Sequence, residues 1–173
     1  LVNVTISGNT GEYGAGIYCT SSSSPTITNA TISGNTGEYG AGISCISSSS
    51  PTITSTMISG NTALYRGGGI LCNYSSSPTI TNTTISGNTG SFGGGISCYS
   101  SSPTIINTII ALNTAANGRE ISIRSNSTIT ITYSNIYGNE TDIHTDNSTV
   151  NWGDGNIDSD PLFVDASNGD YRL

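Results

Sequence analysis

PTITNATISGNTGEYGAGISCISSSS, residues Pro25 to Ser50, is a unit that the rest of the chain repeats. The segment PTIT…ISGN returns from Pro51 and Pro78 and, more loosely, from Pro103. Asn9, Asn35, Asn61, Asn88, Asn113 and Asn139 follow one another at intervals of 26, 26, 27, 25 and 26 residues. Cys19, Cys45, Cys72 and Cys98 keep the same step. A period of this length marks a solenoid, in which each unit buries its apolar residues only by stacking on its neighbours. The composition is rich in Ser, Thr, Asn and Gly, which on its own would suit a disordered chain. A disordered tract, however, has no reason to hold its isoleucines in register.

Within the unit the apolar residues alternate with polar ones, as in a strand with one buried face. Thr26-Ile27-Thr28, Thr31-Ile32-Ser33 and Ile17-Tyr18-Cys19 each show the pattern, and no stretch of helical length and period separates them. Three short strands in about 26 residues per turn predict an all-β solenoid, a parallel β-helix. Coils are expected at 1–24, 25–50, 51–77, 78–102, 103–126 and 127–151. At ~4.8 Å per coil, these six rise on the order of 29 Å. Stacking the units predicts three inward isoleucine ladders, Ile27 to Ile131, Ile6 to Ile136 and Ile17 to Ile143. A cysteine ladder continues as Ile123.

The six asparagines named above are expected to form a ladder at a bend, each amide bonding to the next coil. Tyr13, Tyr39, Tyr65 and Phe92 should stack beside the glycine run, which supplies a sharp corner. In-register cysteines are close enough to bridge Cys19 to Cys45 and Cys72 to Cys98. They suit a buried stack of free thiols equally well. Residues 152–173, with Trp152, Pro161 and five aspartates, read as a C-terminal cap, with no counterpart at the N-terminal end. The opening LVNVTISGN is a repeat in progress, as in a piece of a longer product.

The unit N-T-x-x-Y/F-x-G-G-I followed by S-x-P-T-I-x-N-x-x-I-S-G-N resembles the right-handed parallel β-helix repeats of bacterial surface and secreted proteins, the pectin-lyase-like superfold. The ending GNIDSDPLFVDASNGDYRL is similar to the segment that closes many of them. The resemblance implies a right-handed coil. Function is less constrained, since the superfold hosts lyases, hydrolases, adhesins and spacers.

The net charge of −7, with 9% charged residues, argues against nucleic acid as a partner. No apolar run approaches the roughly 18 residues that span a bilayer, so membrane insertion is not expected. Enzymes of the superfold use clustered carboxylates, and glycoside hydrolysis needs two carboxyls roughly 5–9.5 Å apart. Glu12 and Glu38 stack one coil apart but read as a solvated corner pair. Glu120 beside Arg119 reads as half of a surface salt pair. Glu140, Asp142 and the outward His144 complete the acid–base inventory of the C-terminal third.

Asp154, Asn156, Asp158 and Asp160 alternate as calcium ligands do, though Ser159 stands where such a loop wants glycine. Thr26, Thr28, Thr52, Thr54, Thr79, Thr81, Thr130 and Thr132 flank the inward isoleucines of one sheet, and Ile106 interrupts the set. These rows resemble the ice-binding faces of antifreeze solenoids, and they equally suit an ordinary exposed strand. Glycosylation sequons occur at Asn3, Asn29, Asn73, Asn82, Asn126, Asn139 and Asn147.

The expectation is a non-enzymatic extracellular module of a surface protein, adhesin or fibre. It needs no cofactor unless the Asp154 loop holds calcium, carries glycans if its source glycosylates, and stacks on itself head-to-tail or on further coils of a longer chain. Ice binding, and a carbohydrate-active or carbohydrate-binding β-helix, are the alternatives.

Overall fold

The computed structural model describes residues 1–173, apart from the side chain of Thr141. The chain winds as a parallel β-solenoid of about five full coils, whose strands form four sheets running along its length. The threonine sheet contains Thr26–Thr28, Thr52–Thr54, Thr79–Thr81, Thr104–Ile106, Thr128–Thr132 and Thr149–Trp152. The next sheet along the chain, the middle sheet, contains Thr5–Ser7, Thr31–Ser33, Met57–Ser59, Thr84–Ser86, Ile109–Ala111 and Asn135–Ile136. The cysteine sheet contains Ile17–Cys19, Ile43–Cys45, Ile70–Asn73, Ile96–Tyr99, Ile121–Arg124 and Ile143–Asp146.

A coil carries four strands where the unit is complete, not three. Thr10–Tyr13, Thr36–Tyr39 and Thr62–Arg66 form a separate tyrosine sheet. Its line continues as isolated bridges from Thr62 to Thr89 and from Arg66 to Phe92. Locally, Asn-Thr-Gly-Glu-Tyr reads as a turn. Its backbone becomes a strand because its hydrogen-bond partners lie one coil away.

The apolar residues line the bore in register. Ile27 faces Ile53, then Ile80, Ile105 and Ile131, and the Ile6 and Ile17 ladders run alongside. From the second coil on, these isoleucines are essentially sealed from water, and Cys19, Cys45, Cys72 and Cys98 are buried free thiols.

Three polar ladders hold the corners, where parallel strands end and backbone groups would otherwise be buried without partners. Asn35 donates its backbone N–H and its Nδ2 to Asn61 Oδ1 at 3.0 and 2.9 Å. Asn61 repeats this to Asn88, and Asn88 to Asn113. At the Ala30 corner, backbone N–H groups bond to Thr56, Thr83 and Thr108 Oγ1 and to Ser134 Oγ in turn. The serine tracts are a third ladder. Ser49, Ser76, Ser101 and Ser127 donate their N–H groups to Ser76, Ser101, Ser127 and Ser148 Oγ. Beside them an outer row runs in reverse, with Ser50, Ser77 and Ser102 donating to Ser24, Ser50 and Ser77 Oγ.

Two positions depart from the expected ladders. Asn139 is not the sixth rung of the asparagine ladder. It sits exposed at φ 62°, and its side chain caps the short 3-10 helix Glu140–Asp142 by accepting from Glu140 N at 2.6 Å. The rung beyond Asn113 is instead Glu120. Coil five keeps Gly118 but carries Arg119 and Glu120 where coil four has Gly94 and Gly95, and Glu120 turns inward.

Phe92 is the second departure. Tyr13 and Tyr39 stack at 5.1 Å and 12°, and Tyr39 and Tyr65 lie 5.1 Å apart. Strand pairing slips between Ala63 and Arg66, so that Phe92 aligns with Arg66 rather than Tyr65. Its ring contacts Arg124 and His144.

Residues 152–173 begin as part of the stack, with Trp152 packed on the core and Ile157 bridged to Asn135. The chain then doubles back along the middle sheet until the Tyr171 hydroxyl lies over Gly87.

Candidate functional site

Arginine and aromatic side chains gather at the corner between the tyrosine sheet and the cysteine sheet. The glycine corner makes this possible by pressing backbone against strand. A Cβ on Gly40 would stand 2.8 Å from Ser44 Cβ and 2.9 Å from Leu71 Cβ. The outward side chains Ser44, Leu71, Ser97 and Ser122 are consequently buried. The Oγ atoms of Ser44, Ser97 and Ser122 have no hydrogen-bond partner among the described residues. Strand alternation marks these positions as solvent-facing, and nothing in the local sequence reveals the second layer above them.

Two arginines lie at the rim of this overlap. The Arg124 guanidinium lies 4.0 Å from the centroid of the Phe92 ring, and Arg66 lies 5.5 Å from that of Tyr99. Tyr99 and Arg124 occupy facing positions on adjacent strands, with Asp146 next in line. Tyr74 meets Tyr99 edge-on at 6.4 Å. A cavity of about 130 Å³ opens between Tyr39, Tyr65, Arg66, Ser91 and Phe92. Burial pushes the Arg124 guanidinium below its ordinary value, and neighbouring Arg66 pushes it the same way.

The Glu120 carboxyl is 2% exposed and pushed up to about 7 by burial, against hydrogen bonds from Asn113 that favour the ionised form. It is therefore not half of a surface salt pair. Arg119 pairs instead with Asp142, donating from Nε at 3.1 Å and also from Nη2 to the same oxygen. Glu12 and Glu38 are exposed on neighbouring strands of the tyrosine sheet, and Glu140 is exposed. His144 faces Ser122 across the cysteine sheet and meets Phe92 at 6.2 Å.

Asn156 ends the threonine–serine ladder. Its Oδ1 accepts from Ser134 N, and its Nδ2 donates to the Ile131 and Gly153 carbonyls. Asp158 accepts from Gly138 N and Asp160 from Leu162 N, while Asp154 is exposed. Among the described residues no three His, Cys, Asp or Glu side chains gather as a metal site would require.

On the threonine sheet, Thr26, Thr52, Thr79, Thr104 and Thr130 form one rank, and Thr28, Thr54, Thr81, Ile106 and Thr132 the other. Of the sequon asparagines, Asn3, Asn29, Asn82, Asn126, Asn139 and Asn147 are exposed, and Asn73 is half-buried. Asn29 donates to Asn3 Oδ1, so that pair already forms an outer rung.

The family model for the right-handed β-helix region matches residues 1–158. The chain belongs to the right-handed β-helix family. No curated protein and no solved structure matches it. For a β-helix protein the family accounts for the coil and its ladders. The arginine–aromatic rim and the threonine ranks are features of this chain's own residues, because fold does not decide what a surface does.

Proposed function

We propose that this β-helix is a non-enzymatic structural or adhesive module of an extracellular protein or fibre. The observation that carries the reading is the assignment of the repeat's polar residues to coil-to-coil hydrogen bonds. Asn35, Asn61 and Asn88 each link to the following coil through both N–H and Nδ2, and the serine and threonine corners are built likewise. Such ladders stiffen the long axis, and they can be continued by further coils of a longer chain or by a second copy stacked head-to-tail. A heterologous contact of that kind propagates without closing. Sequon asparagines exposed on the flanks are compatible with glycans on such a surface.

Sedimentation combined with electron microscopy tests the stacking. Concentration-dependent growth of thin filaments is the expected result. A monomer that persists at high concentration overturns head-to-tail assembly.

The threonine sheet supports a second reading, ice binding. Its two ranks are in register over five successive strands, with Ile106 the single break. Replacing Thr54 and Thr81 by Tyr should abolish any thermal hysteresis. A native protein that shows none disposes of this reading.

A further inference from the structure

We propose that Arg66 and Arg124 form a binding site for an oxyanion, a phosphate, sulfate or carboxylate group, held at the aromatic rim above the cysteine sheet. The chain has four basic side chains, all arginines, against eleven carboxylates. Arg119 and Arg172 are paired, with Asp142 and Asp170. Arg66 and Arg124 are in no ion pair among the described residues. In an acidic protein, the two unpaired cations have come together rather than apart.

The surroundings orient both for a ligand. Each guanidinium lies over a ring, Arg124 close on Phe92 and Arg66 at cation–π distance from Tyr99. Stacking occupies the flat face of a guanidinium and leaves its edge to bind oxygen. The Nε and Nη2 of Arg124 are shielded from water and have no acceptor among the described residues. These two atoms form the fork that matches an oxyanion in bidentate fashion.

A buried donor without an acceptor is costly, and the oxygens of an anion would supply both acceptors at once. The Arg66 side chain is half-exposed and makes no hydrogen bond among the described residues, so it can shift to admit one. The cavity beside Tyr39, Tyr65 and Ser91 lies next to it. Asp146 faces Arg124 in register yet forms no ion pair with it, and the His144 ring is tilted against Phe92 at 6.2 Å. Asp146 is therefore the neighbouring carboxylate whose negative charge opposes a bound anion.

The test is a titration of the intact protein with inorganic phosphate and, separately, with acetate, followed by amide chemical shifts in two-dimensional NMR. Saturable shifts confined to residues near 66, 92, 99 and 124 are expected with at least one probe. Whichever binds more tightly shows whether an ester-type oxyanion or a carboxylate is the preferred group. Arg124→Gln and Arg66→Gln should each weaken binding about tenfold or more, Arg124→Lys should weaken it through loss of the fork, and Asp146→Asn should tighten it. Arg119→Gln should leave it unchanged. Dispersed shifts that do not saturate with either probe, or an Arg124→Gln variant that retains its spectrum and titrates like the parent, would overturn the site.

Discussion

Asn113 donates its backbone N–H to Glu120 Oε1 at 3.3 Å and its Nδ2 to Glu120 Oε2 at 2.5 Å, so a carboxyl group ends a ladder otherwise built of amides. An amide rung both donates and accepts, whereas an ionised carboxylate only accepts. Burial makes that charge costly and holds the group at about 7.

The consequence for stability has a definite sign. Glu120 takes up its proton more readily folded than unfolded, so the folded state loses ground as pH rises from about 4.3, the ordinary glutamate value, towards 7. Above that range the penalty is constant, on the order of 4 kcal/mol, because each tenfold difference in proton affinity between the two states is worth about 1.36 kcal/mol. Thermal melts of the parent should therefore fall between about pH 4.3 and 7 and level off above that. Glu120→Gln should remove this part of the slope and raise the melting temperature at pH 8. Equal slopes in the two proteins would show that Glu120 is not the group responsible.

Asn88→Ala removes the acceptor for Asn61 N and Nδ2 and the donor to the Ile58 carbonyl, all of them buried. Each stranded group costs about 1–3 kcal/mol, so a loss of about 3–5 kcal/mol is expected in a chemical denaturation curve. Asn9→Ala, at an exposed position, should cost less than about 1 kcal/mol. Similar losses at both positions would contradict an internal ladder.

Gly69 and Gly34 separate two reasons for glycine. A Cβ on Gly69 would stand 2.6 Å from the Gly95 carbonyl oxygen, with no flexible group to yield. Gly34 has φ +63° and open space, where the cost is only the left-handed conformation, about 1 kcal/mol. Gly69→Ala should therefore destabilise far more than Gly34→Ala. Melting temperatures of the two variants decide it.

The four thiols should react with a thiol reagent only slowly in the native protein and give four equivalents once unfolded. Cys19 should lead, because a hydrogen bond with Cys45 lowers its thiol, while the same contact and burial raise Cys45. Fewer than four equivalents under non-reducing denaturation would reveal a bridge.

Much of this molecule was legible from order along the chain. The period predicted the coil, and alternation around Ile27, Ile32, Ile43 and Cys45 identified the bore. Both depend on nearest neighbours in a stack, and each unit of a solenoid meets mainly a copy of itself. One sequence position therefore predicts its own environment. The corners and surfaces obey no such rule. Ser97 looks solvent-facing until the Gly93 corner is pressed against it, and Thr-Gly-Glu-Tyr reads as a turn until a second coil offers it hydrogen bonds. Glu120 becomes the sixth rung because it stands where the preceding coil has Gly95, and Phe92 leaves the tyrosine stack because one strand slips by a residue. Tyr171 reaches Gly87 across more than 80 positions of chain. The repeat by itself determined which residues face inward. Only the tertiary structure decided which outward ones are covered and that Arg66 and Arg124 meet, because those contacts join parts of the chain that differ from one coil to the next.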